Sequence, residues 1–87
     1  MTQIKLKEEI EDIQKALNAL KEDESLPKNI RAKLDTINDA LKEDVDISSK
    51  IGKSLHTLDE ISEDMNIPAF IRTQIWNISS MLEKLNH

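Results

Sequence analysis

The side chains able to do chemistry in this chain are few, and their spacing decides most of what they can do. Two acidic clusters, Glu8-Glu9 with Glu11-Asp12 and Glu22-Asp23-Glu24, have the oxygens a hard cation needs. The first is interleaved with Lys5, Lys7 and Lys15, and neither alternates oxygen donors as a calcium loop does. Both are therefore expected to be solvated surface. A di-iron bundle requires Glu-x-x-His pairs facing inward. His56 instead follows Lys53 by three residues, and His87 ends the chain. There is no cysteine, which excludes thiolate metal sites, disulfides and thiol nucleophiles. A single glycine excludes the Gly-rich phosphate loops. Ser48-Ser49 and Ser79-Ser80 have no base or orienting acid at a recognisable spacing, and are expected at helix caps and surfaces. The expectation is no catalytic residue, no metal, no cofactor, no small-molecule substrate and no enzymatic activity.

The remaining composition bounds the scaffold. The chain has 87 residues, a formal charge of −5 and 38% apolar side chains, mostly Ile and Leu. That supports one helical core and little more. No apolar run approaches the 18 residues of a membrane span. The opening Met1-Thr2-Gln3-Ile4-Lys5 leads into charges and not into an apolar leader, so a cytoplasmic protein is expected. One Trp, one Phe and no Tyr leave little for stacking on bases.

The chain matches itself at a shift of 41 residues: Leu26-Pro27-Lys28-Asn29-Ile30-Arg31 lies on Ile67-Pro68-Ala69-Phe70-Ile71-Arg72. Ile10 meets Ile51, Leu17 meets Leu58, Glu22-Asp23 meets Glu63-Asp64, Ile37 meets Ile78 and Leu41 meets Leu82. Amphipathic periodicity alone would match apolar positions. It does not account for the matched Pro and Arg. The chain is thus expected to be one domain, 1–87, of two units at about 4–44 and 45–86.

Each unit has the pattern of helix, corner, helix. Leu6, Ile10, Ile13, Leu17 and Leu20 form one amphipathic stripe, and Ile30, Leu34, Ile37 and Leu41 the next. Ile47, Ile51, Leu55, Leu58 and Ile61 form the third, and Ile71, Ile75, Ile78, Leu82 and Leu85 the fourth. Pro27 and Pro68 open the second and fourth helices, with Ser25 and Asn66 as expected N-caps and Asp44 or Asp46 capping the third. Gly52 falls inside a helix, where close approach of a neighbour would explain it, and Met65 and Met81 are expected to fill gaps at the core edge. The fold class predicted is all-α, an antiparallel four-helix bundle built from two tandem helical hairpins. An open two-unit stack is the alternative, disfavoured because stacked repeats need about three units to bury their faces.

The corner Asp23 to Arg31 resembles that of HEAT-type repeats, where an acidic residue, a proline and an arginine follow in similar order. An extra residue before Ile-Arg and the count of two units argue against an extended solenoid. Leu58-Asp59-Glu60-Ile61-Ser62-Glu63-Asp64-Met65-Asn66-Ile67-Pro68, followed by Arg72-Thr73-Gln74-Ile75-Trp76-Asn77-Ile78, is similar to a small archaeal family, uncharacterised protein family 0147. That resemblance implies a compact four-helix protein and no particular chemistry.

Two constellations stand out as candidate sites. Trp76 lies about 140° from the core direction of its helix, flanked by Arg72 and Ser80, and faces Asp35 in the repeat alignment. A large ring there marks a contact surface, unless Arg72 covers it in a cation–π contact within the monomer. The second constellation, Asp23, Pro27, Arg31, Asp64, Pro68 and Arg72, is structural, with each Asp expected to pair across the corner with an Arg. The function expected is a non-enzymatic module binding an unidentified protein partner, with a homodimer on the Trp76 side as one form. The alternative is an accessory protein of a nucleic-acid or ribosomal machine touching polynucleotide through Lys28, Arg31 and Lys33. Asp35 and Asp39 beside that region argue against nucleic-acid binding.

Overall fold

A computed structural model describes residues 3–43 and 45–85. The stripes become helices α1 (Gln3–Lys21), α2 (Lys28–Lys42), α3 (Ile47–Ser62) and α4 (Ala69–Leu85). Each packs against its chain neighbours, and α1 returns to pack on α4. The four helices form a closed ring 38 × 19 × 19 Å, which is the expected all-α bundle and not the open stack. Asp44 and Asn86, the last residues of the two expected units, and His87 lie outside the described residues.

Burial follows the stripes. Ile13, Leu17, Ile30, Leu34, Ile37, Ile51, Leu58, Ile61, Ile71, Ile75, Ile78 and Leu82 are essentially sealed from water. Leu6, Ile10, Ile47 and Leu55 pack only partly against this core. Leu26 and Ile67, the residues before the two prolines, are buried at the α1–α2 and α3–α4 corners and join the core.

Several local expectations are corrected. Met65 is 92% exposed on the α3–α4 corner, so it fills no core gap; Met81 does pack against the core. A Cβ on Gly52 would meet nothing within 4 Å, so no neighbour explains the glycine. Ser25 and Asn66 do not cap the following helices. Pro27 occupies the N-cap position of α2 without a side-chain bond, and its carbonyl accepts from Arg31 N–H at 3.0 Å. Pro68 does the same for Arg72 at 3.2 Å. Asp46 stands at the N-cap of α3, also without a side-chain bond.

Candidate functional site

The corners come first, because they set the pairing of the helices that carry the site. Ser25 N–H donates to Asp23 Oδ1 at 2.8 Å and Ser25 Oγ–H donates to the same oxygen at 2.6 Å. Forty-one residues on, Asn66 N–H donates to Asp64 Oδ1 at 2.8 Å. These are Asx turns, in which a short carboxylate reaches the backbone two residues ahead and leads the chain out of the helix. Ser25 and Asn66 have side chains suited to an N-cap, but what each gives here is its backbone N–H to the aspartate two residues before, joined in Ser25 alone by the hydroxyl.

The arginines act on carbonyls, not on the carboxylates expected. Arg31 Nε donates to Lys21 O at 3.0 Å and Arg31 Nη2 to Asp23 O at 3.0 Å. Arg72 Nη2 donates to Asp64 O at 3.1 Å. The last carbonyls of a helix have no partner within it; the planar fork of Arg31 satisfies one of them, Lys21 O, and ties it to Asp23 O in the corner, which also accepts from Leu26 N–H at 3.2 Å. Arg31 is thereby engaged within the first hairpin, and of its basic neighbours Lys28 is exposed and Lys33 half-buried.

The two donors from Ser25 hold the Asp23 carboxyl below the ordinary aspartate range, with Arg31 adding a smaller push in the same direction. The consequence for stability has a definite sign. A carboxyl depressed by folding contributes above its unfolded value, and the contribution is lost as pH falls through the folded one. A carboxyl-carbon NMR titration should therefore show Asp23 ionising at lower pH than an unstructured aspartate. Ser25→Ala should move it back up, and an unchanged titration in that variant would contradict the turn's role.

Along the same seam the two hairpins diverge. In the first, Asn38 Nδ2 donates to Asn18 Oδ1 at 3.1 Å, joining α2 to α1. One turn away Lys21 pairs with Asp35, again α1 to α2. The residues 41 further on are Asp59, Ser62, Trp76 and Ser79. There, Ser62 Oγ turns back to Asp59 O at 2.8 Å within its own helix. Both bridges are absent there, and α3 and α4 line an open groove of about 880 Å³. Leu55, Leu58 and Ile75 form its apolar lining, and Asp59, Arg72 and Glu83 its charged groups.

Trp76 lines this groove and is 74% exposed, so Arg72 does not cover it. Arg72 and Ser80 are exposed beside it, as is the carboxylate of Glu83. His56, on the α3 side, lies 3.7 Å from Glu60 and faces solvent. Phe70, a second exposed apolar ring at 54%, stands at the start of α4 and was not singled out by the sequence. Its only signal was a ring where the first hairpin has Asn29. Among the described residues, no group of three His, Cys, Asp or Glu side chains converges to hold a metal ion. No described helix is long and apolar enough to cross a membrane.

Comparison with known proteins follows the same lines. The sequence profile of the uncharacterised protein family UPF0147 matches residues 1–85. The chain belongs to this family. A UPF0147 protein of Archaeoglobus fulgidus is 31% identical over 80 residues, covering 92% of each chain. One of Methanocaldococcus jannaschii is 41% identical over 70 residues, covering 79% of this chain and 75% of the relative. The crystal structure of a UPF0147 protein from Thermoplasma acidophilum is 29% identical, covers 91% of this chain and 94% of its own, and superimposes with a TM-score of 0.85. A crystal structure of a protein of unknown function is 39% identical with a TM-score of 0.81, covering 86% of each chain. UPF0147 is a family of uncharacterised function, so these relatives establish the bundle and leave its chemistry to the site. The HEAT-type reading of the corner gains no support from them. Closure of α1 onto α4 also differs from an open stack of hairpins.

Proposed function

We propose that this UPF0147 chain is a non-catalytic helical module that binds protein through the α3/α4 face, with the exposed ring of Trp76 as its anchor. The observation that carries the reading is the 74% exposure of the only tryptophan, on the wall of the α3/α4 groove, at positions where the first hairpin has two polar bridges instead. Tryptophan is the residue most enriched among those that dominate binding energy at protein contacts. The groove's charges support a contact and not a reaction. Arg72 and Glu83 stand three turns apart on α4, about 16 Å, and do not converge on one reacting atom. A trough between two helices also suits another helix better than an enclosed small molecule.

The test is Trp76→Ala. Helicity by circular dichroism and Tm should be close to wild type, while proteins captured by the wild-type chain from its own cells should be lost. A fall in Tm of more than about 10 °C, the mark of about 2 kcal/mol of core packing, would overturn the reading. So would an unchanged set of captured proteins.

A further inference from the structure

We infer that the occupant of the α3/α4 groove is a second copy of this chain, docked with its α4 antiparallel to the first about a two-fold axis. The inference rests on the contact reading above and names its partner. Arg72, Trp76, Ser79 and Glu83 all line the groove, at spacings of four, three and four along α4. At 100° per residue these positions fall within about 60° of one another, so they form one face. The series is its own complement when reversed. A two-fold axis midway between Ser79 and Trp76 is also midway between Arg72 and Glu83. It sets Arg72 against the partner copy's Glu83, and Trp76 against the partner copy's Ser79. Each contact occurs twice.

Both charge and shape fit this register. Among the described residues Glu83 has no ion-pair partner, and Arg72 makes one hydrogen bond where Arg31 makes two. The guanidinium thus keeps donors for a carboxylate. Ser79 is a small side chain standing where the first hairpin carries the bridging Asn38, and it leaves room for an indole ring. A parallel arrangement would set Arg72 against Arg72 and Glu83 against Glu83, which like-charge repulsion disfavours. The whole of α4, 17 residues, is about 25 Å long, and the molecule is 19 Å across. Docked along the full helix, two copies therefore bury at most about 1,000 Å², the low end for a specific contact. The dimer is expected to dissociate on dilution.

Sedimentation equilibrium over a dilution series tests the register. Wild type should pass from monomer to dimer as concentration rises. Glu83→Arg and Arg72→Glu should each weaken the dimer by about tenfold or more, and the double variant should recover most of that loss. Because Arg72 also holds the corner, Glu83→Gln provides a second single variant, on an exposed side chain that has no hydrogen bond or ion pair among the described residues. It should weaken the dimer with helicity unchanged. A wild type that stays monomeric at millimolar concentration overturns the self-docking, as does a dimer indifferent to the Glu83 changes or a double variant without recovery. Should the monomeric chain still capture another protein in a Trp76-dependent way, only the second copy is rejected and the contact reading stands. Loss of Tm in Trp76→Ala rejects both.

Discussion

Leu17→Ala is expected to destabilise the chain by about 2–5 kcal/mol, the range for truncating a sealed leucine in a packed core. Leu17 has no exposed surface and sits on α1, the helix whose packing on both α2 and α4 closes the ring. A domain of this size is stable by about 5–15 kcal/mol in total, so the loss is a large part of it. At about 4–8 °C per kcal/mol, Tm should fall by more than about 10 °C. Urea unfolding should show a lower midpoint at unchanged slope. In an open stack α1 would pack on α2 alone, Leu17 would be half-wet, and the loss would be under about 1 kcal/mol. That smaller value would contradict ring closure.

The second large effect is on the groove. Asp59→Asn, Ser62→Lys, Trp76→Asp and Ser79→Asn together transplant Asn18, Lys21, Asp35 and Asn38 into the second hairpin. The variant should keep its helices, because in the first hairpin the same four residues already bridge two adjacent packed helices. The bridges themselves add little; an ion pair as exposed as Lys21–Asp35 is worth under about 1 kcal/mol. What changes is the contact surface. Removing a tryptophan anchor costs a contact about 2 kcal/mol or more, roughly thirtyfold in affinity. Filling the seam should add to that. Analytical ultracentrifugation would show it, and a four-residue variant that still associates as wild type would place the contact elsewhere on the molecule.

Helices and core were legible because an Ile or Leu every three or four residues has few ways to leave water except on one helix face. The exceptions are physical: Leu55 borders the groove, and Leu6, Ile10 and Ile47 lie where only part of each side chain reaches the core. The corner was legible in residue type and not in atom. Asp23 and Arg31 do meet, but through the backbone carbonyl: the carboxylate is already engaged by Ser25, and the guanidinium that reaches the helix-end carbonyl of Lys21 has Asp23 O within range of its second nitrogen. The direction of Trp76 followed from its angle. Met65 and Phe70 belong to the loop and first turn beside the α3–α4 corner, where no stripe fixes orientation. The groove was latent in the alignment of Asn18 and Asn38 with Asp59 and Ser79. Only the geometry shows that the asparagines bridge two helices.

The contact reading depends on one ring being wet when the chain is alone. Since Trp76 is the only tryptophan, its fluorescence in dilute solution reports on that ring without interference. Acrylamide should quench it nearly as efficiently as a free indole, with a red-shifted emission that moves to the blue as the protein is concentrated. A blue, quencher-protected emission that does not change with dilution would mean the ring is packed inside the monomer, and would contradict the account.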